Sequence, residues 1–215
     1  MVHFHIVTLF PESIEPYLSA SMIGRAQEFG KIKVSYYDPK DYMDSPKDRV
    51  DRRPYGGGPG MVLEPEAMLR AAQAAIGRKK DVEVIFFSTE GETFTEAVAQ
   101  ELATRKHVVF ICGHYEGVDA RVAEILNARW VTMGPYVLTG GELPAATIID
   151  AVSRFVPGVL GKAESLEASR VSSPAVYTRP DVLKWKGKKY PVPEVLKSGH
   201  HAKIDEWKRG TRKSQ

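Results

Sequence analysis

The sequence predicts an α/β fold, a mainly parallel sheet covered by helices on both faces. Three observations carry that expectation: five short runs rich in Val, Ile and Phe, a helical or loop stretch after each, and near-continuous apolar character in several of the runs. Strands buried on both faces read as unbroken apolar runs, whereas half-solvated strands alternate.

The first run, Phe4 to Phe10, begins close to Met1, without the basic stretch, long apolar run and cleavage site of a secretory leader. A second strand is expected at Lys31 to Tyr37. The long irregular piece Asp38 to Met61 follows; segments of that length in compact domains usually bind something or move. Glu64-Pro65 then opens a helix running to Ile76, since proline suits the first helical position. Val82 to Ser88 reads as a strand, Phe94 to Arg105 as a helix, and His107 to Cys112 and Trp130 to Met133 as strands. The last helix of this part is Pro144 to Phe155. Pro157-Gly158 and the polar stretch Gly161 to Ser173 break the pattern. The expected organisation is therefore a main domain over 1–160, a linker over 161–177, and a small, basic, mainly helical region over 178–215.

With 215 residues and 43% hydrophobic content the chain can bury a full core. No run reaches membrane-spanning length. Cys112 is the only cysteine, which excludes an intrachain disulfide and suits a reducing cytoplasm. The net charge of +3 is unevenly spread: from Arg179 onward eleven Lys or Arg face four acids, giving +7 there and leaving −4 in the preceding residues. A basic terminal region suits a polyanion such as a nucleic acid, although a solvated lysine-rich end would read the same way.

Residues Met133 to Pro144 are the most informative segment, because paired glycines and a single charge lie between a strand and a helix. Gly134, Gly140 and Gly141 permit positive φ or close approach of a ligand, while Tyr136, Val137 and Leu138 offer flat and branched apolar surface for a ring. Phe86-Phe87-Ser88-Thr89-Glu90-Gly91 and Cys112-Gly113-His114-Tyr115-Glu116-Gly117 are two further strand-to-loop turns. All three are expected at the carboxyl edge of the sheet, where α/β folds bind ligands, and together they outline one adenosine-sized pocket. Cys112, His114 and Glu116 at alternate positions also resemble a metal ligand set, but no second cluster completes a coordination sphere, and no metal is assigned there or at His200-His201. Tyr55-Gly-Gly-Gly-Pro-Gly lacks the Gly-Lys-Ser/Thr ending of a phosphate loop. With Arg49, Arg52 and Arg53 beside it, the segment reads as a loop that meets a nucleic-acid backbone. Ile148, Ile149 and Val152 form an apolar stripe on the last helix. Arg154 beyond them either caps the helix end or stabilises a developing oxyanion.

These segments together resemble the bacterial tRNA (guanine-N1)-methyltransferases, the TrmD family of knotted SPOUT methyltransferases. The resemblance runs from Phe10-Pro-Glu through Arg53-Pro-Tyr-Gly-Gly-Gly-Pro-Gly-Met61, Cys112-Gly-His-Tyr-Glu-Gly and Gly134-Pro-Tyr-Val-Leu-Thr-Gly-Gly-Glu-Leu-Pro144 to Ser153-Arg-Phe-Val-Pro-Gly-Val-Leu-Gly161. It resumes at Tyr177-Thr-Arg-Pro180 and Val192-Pro-Glu-Val-Leu-Lys-Ser-Gly-His-His201. It implies a SPOUT fold with a deep trefoil knot, which connection rules alone would not suggest. It further implies a homodimer with active sites shared between subunits, and methylation of guanine N1 at tRNA position 37 with S-adenosylmethionine, magnesium being a candidate accessory ion. By resemblance, the cofactor is held by Phe86, Phe87, Ser88, Thr89, Gly113, Tyr115, Glu116, Gly117, Met133, Gly134, Pro135, Tyr136, Val137, Leu138, Gly140, Gly141 and Pro144. Arg154 matches the family's catalytic arginine.

Several positions depart from the family. Its general-base aspartate falls at Ser173, a poor base at neutral pH; Glu167 is the favoured substitute and Glu164 the next. His114 replaces an arginine, Pro135 an aspartate and Thr89 a proline. The chain stops soon after Trp207, where many relatives carry a further helical extension, so Lys184, Lys186, Lys188 and Lys189 are expected to carry more of the tRNA grip. The readings in competition are a tRNA-binding SPOUT homologue without turnover and a SPOUT methyltransferase for another RNA position.

Overall fold

The computed structural model describes residues 1–45, 47–160 and 175–211. The chain divides into two compact units, Met1–Leu160 and Gly161–Gln215.

The first unit is built on a five-stranded sheet in the order β2-β1-β6-β5-β7, parallel throughout. Its strands are β1 (Val2–Val7), β2 (Ile32–Tyr37), β5 (Val82–Thr93), β6 (His107–Ile111) and β7 (Arg129–Thr132). Two two-residue strands, β3 (Asp51–Arg52) and β4 (Val62–Leu63), pair separately and antiparallel. Alternation along each central strand sends neighbouring side chains to opposite faces. Phe4, Ile6, Val108, Phe110 and Ile85 therefore enter one core, and Val7, Val109, Ile111, Val84 and Phe86 the other. The first core is covered by α2 (Ser21–Glu28), α4 (Glu96–Leu102) and α6 (Glu142–Ser153); the second by α3 (Pro65–Ile76) and α5 (Ala120–Ile125). α1 (Glu15–Leu18) adds Leu18 to the first.

Local chemistry explains where the helices begin. The Glu64 carboxylate accepts from the Glu66 and Ala67 amides, Pro65 fills the first helical position of α3, and Gly77 ends the helix at φ 54°. Thr95 caps α4 through the Val98 amide and Asp119 caps α5 through the Arg121 amide. Ala71, Ala72 and Ala75 give α3 a small-residue face that lies directly on the sheet.

The five sheet strands and the three expected helices, α3, α4 and α6, occur within a few residues of where the sequence places them. α2 and α5 are additional; α2 buries Ile23, Gly24 and Ala26, and α5 buries Val122 and Ala123. β5 continues past the predicted end at Ser88. Its register against β7 breaks between Phe87 and Glu92, so Ser88 to Gly91 leave the ladder and Glu92 and Thr93 rejoin it.

The second unit holds the expected helices and adds a hairpin that the sequence did not predict. Among its described residues an antiparallel hairpin of β8 (Val182–Trp185) and β9 (Lys188–Pro191) comes first, turned by Lys186 and Gly187 at φ 46° and 78°. α7 (Glu194–Lys197) and α8 (His201–Thr211) follow. Every residue of both hairpin strands is exposed, which leaves no alternation for a pattern reading to detect.

Candidate active site

Strand β5 lies between β6 and β7, so the chain leaves β6 on one side of it and returns on the other. Such a reversal opens a crevice beyond the carboxyl ends of parallel strands. Here it is a cavity of about 360 Å³, lined from β5 by Phe86 to Thr89, from the loop after β6 by Gly113 to Val118, and from β7 onward by Trp130 to Met133, Tyr136 to Gly141 and Pro144. Of the residues expected at the cofactor, all but Gly134 and Pro135 line it. His114, Val118, Trp130 and Thr139 join the wall as well. The β5 irregularity matters directly, because it turns Ser88 and Thr89 out of the ladder and into the wall.

Backbone contacts lock the loops together. The Gly141 amide donates to the Gly113 carbonyl at 2.9 Å, and His114 and Gly140 form a bridge. On the other side, the Glu116 amide donates to the Met61 carbonyl at 3.0 Å and the Leu63 amide to the Gly117 carbonyl at 2.9 Å. The end of the Tyr55-to-Met61 loop is thus tied to the cavity wall.

The glycines divide between the two expected uses. Of Gly134, Gly140 and Gly141, only Gly134 has positive φ, 152°, and its missing side chain leaves room for the Tyr136 ring folded back over it. Gly141 has φ −82°. There a Cβ would stand 2.6 Å from the Cys112 Cα, so glycine is required by the close passage of the chain over the end of β6. Tyr115 is a non-glycine residue at φ 58°, a costly conformation that marks the loop as over-determined by its surroundings.

One buried acid underlies the wall. Glu142, at the first position of α6, is 5% exposed; Thr8 Oγ1 donates to its Oε1 at 2.6 Å, and His114 Nδ1 lies 3.4 Å from its Oε2. His114 also packs its ring on Phe10 at 4.5 Å between centroids. Cys112 is buried, and burial first, then the Glu142 charge, pushes its thiol well above the ordinary range. Cys112 therefore belongs to the core, and alternate spacing of Cys112, His114 and Glu116 does not make a ligand set. Neither the Thr8–Glu142 nor the His114–Glu142 contact was legible in the sequence, since the partners come from separate strand ends.

The remaining expected site residues lie elsewhere. Arg154 follows α6 at its far end, about 20 Å along the axis from Gly141 at 1.5 Å per residue. It does not line the cavity of its own chain. Glu164, Glu167 and Ser173 fall outside the described residues. Around the cavity, large apolar side chains stand unusually open: Tyr136 is 55% exposed, Val137 83% and Leu143 61%.

The arrangement can hold a flat, largely apolar group against Phe86, Tyr136 and Leu138, with main-chain groups of three loops available for polar edges. Residues 2–215 match the family model described as tRNA (Guanine-1)-methyltransferase TrmD. A Staphylococcus epidermidis protein named tRNA (guanine-N(1)-)-methyltransferase is 46% identical over 206 residues, covering 94% of this chain and 82% of that protein. Proteins of the same name from Magnetococcus marinus and Deinococcus deserti are 43% and 44% identical, each over 97% of this chain and over 83% and 76% of their own lengths.

Proposed function

The chain belongs to the TrmD family of tRNA (guanine-1)-methyltransferases, a methyltransferase acting at N1 of guanine in tRNA, and from that premise we propose that its target is guanine 37, beside the anticodon. The observation that carries the reading is the convergence of the three glycine-containing loops on one cavity at the carboxyl ends of β5, β6 and β7. Its volume falls in the range of small-molecule sites, and the close passage at Gly141 provides a wall made of backbone. These features fit S-adenosylmethionine. Phe86, Phe87, Tyr136, Val137 and Leu138 would hold its adenosyl part, and Gly113 to Gly117 and Gly140 to Gly141 would meet it through main chain.

Bound there, S-adenosylmethionine supplies an electrophilic methyl on a sulfonium sulfur. The protein must align the acceptor with that carbon and relieve N1 of its proton. As N1 takes the methyl, the sulfur leaves as the neutral thioether of S-adenosylhomocysteine and the N1 proton passes to a base. Negative charge meanwhile builds on O6, where the fixed guanidinium of Arg154 stabilises it. We assign the base to Glu167, with Glu164 as the second choice.

The 20 Å or so between Gly141 and Arg154 along α6 supports a composite site, in which the donor cavity of one chain meets Arg154 of a second copy. The exposed Tyr136, Val137 and Leu143 offer such a copy an apolar surface. The assembly is therefore a symmetric homodimer, and the trefoil knot of the family is assigned to the segment carrying the three loops. Glu116 is the one carboxylate of the cavity wall among the described residues other than the buried Glu142. A magnesium ion would have Glu116 as its protein ligand and would complete its shell with water or substrate phosphate. No helix among the described residues is long and apolar enough to cross a membrane; we place the enzyme with its tRNA in the cytoplasm.

The test is incubation of purified protein with methyl-labelled S-adenosylmethionine and a tRNA transcript carrying guanines at 36 and 37, followed by nucleotide mapping. The reading predicts N1-methylguanosine at 37. Label at another nucleotide would remove the position, and tight binding without label would remove the activity.

A further inference from the structure

A second cluster of chemistry-bearing side chains lies away from the donor cavity and lines no part of it. β1 carries His3 and His5 on the same face, and its register sets His3 beside His107, the first residue of β6. The cavity begins at Ile111, at the other end of β6, about 13 Å distant at strand rise. One ligand nitrogen from each imidazole can be chosen so that all three lie within 4.8 Å of one another. His5 is fully buried, in a strand face where an aliphatic side chain would pack without any polar cost.

The nitrogens are oriented by neighbours. His5 Nδ1 is 3.1 Å from the Tyr37 hydroxyl and His3 Nε2 is 2.9 Å from Ser35 Oγ, both on β2. Partners of this kind fix the ring and tautomer of a metal-bound histidine. His5 Nε2 and His107 Nδ1 share a hydrogen bond at 3.2 Å, a separation close to the roughly 3.4 Å between two nitrogens on a tetrahedral zinc with bonds of about 2.05 Å, so an ion could replace the shared proton with little movement of either ring. His3 has its Nδ1 left to turn toward them. Burial first, then the charges of Lys33 and other neighbours, lowers His3 to about 4; burial and His3 lead the causes that lower His5 to about 3. Lys33, Lys79 and Lys106 are the opposing charges, and Asp81 offsets them at His107. Lys79 Nζ is engaged by the Ala75 carbonyl at 2.8 Å at the end of α3, where the helix dipole offsets part of its field.

We propose that His3, His5 and His107 bind a divalent late transition ion, zinc in the first instance, which ties β1 to β6. Three neutral imidazoles without a carboxylate select zinc, nickel or copper over magnesium or calcium. His3 and His107 are partly exposed, leaving a route for the ion and a fourth position for water.

The experiment is titration of chelator-stripped protein with zinc chloride against a chromophoric competitor, with cobalt chloride as the spectroscopic probe. The expected result is one zinc per chain, a tetrahedral cobalt absorption band, and a rise in melting temperature on zinc addition. His107→Asn should weaken zinc binding by at least about tenfold while methyl transfer at the distant cavity persists in chelator, which shows that the variant is folded. Replacing both His200 and His201 by Asn should leave binding unchanged. Absence of saturable binding, binding unaffected by His107→Asn, or binding lost with His200 and His201 would each overturn the proposal.

Discussion

Arg154 shows how a residue can be legible in type but not in place. The sequence offers an arginine at a helix end with two roles, cap or oxyanion partner; the structure places it at the end of α6 opposite the cavity. Arg154→Ala is predicted to slow single-turnover methylation by about two to three orders of magnitude, the scale of losing an oxyanion partner. S-adenosylmethionine affinity, measured by calorimetry, should stay within about twofold, because the proposed partner of Arg154 is the guanine O6 and the side chain lines no part of its own chain's donor cavity. Equal losses in binding and turnover would return Arg154 to a structural role. His114 illustrates the opposite case. Its spacing from Cys112 and Glu116 suggests metal chemistry, yet strand alternation buries Cys112, and the histidine turns to Glu142. That contact joins the loop after β6 to the start of α6, and short-range spacing has no information about it.

At the scale of elements, apolar runs were sufficient to locate all five sheet strands, because each is buried on at least one face and several on both. What they could not locate was the excursion at Ser88 to Gly91, which depends on register against β7, or the β8–β9 hairpin, whose exposed strands carry no hydrophobic period. The glycine-rich segment before α6 was legible as a backbone wall, but for an incomplete reason: Gly134 uses positive φ, whereas Gly141 is required by contact with Cys112. Gly141→Ala is accordingly predicted to abolish detectable S-adenosylmethionine binding by calorimetry. The far-UV circular dichroism should be retained, since the clash falls on Cys112 and Phe87 at the cavity end of the core and leaves the strand ladders paired. Binding within threefold of the parent would show that the passage can relax and that the wall is not rigid.

At the scale of the whole molecule, charge and chemistry are divided along the chain. From Arg179 onward the net charge is +7, and Lys184, Lys188 and Lys189 on the exposed hairpin strands, with Lys186 in their turn, supply four of the cations. Exchanging these four for glutamine is predicted to weaken tRNA binding and flatten its dependence on salt, because fewer phosphate contacts release fewer counterions. S-adenosylmethionine affinity should not change. An unchanged salt slope in filter-binding measurements would move the tRNA contact elsewhere.

We propose that one chain's donor cavity works with the Arg154 of another, and mixed dimers separate that arrangement from a site within a single chain. Arg154→Ala and Gly141→Ala chains, each nearly inactive alone, would be differently tagged, unfolded and refolded together, and the hybrid verified by tandem purification. In a symmetric dimer each purified hybrid holds one intact composite site, so it should methylate at about half the rate of the parent. A hybrid no more active than the two variants assayed separately would contradict it.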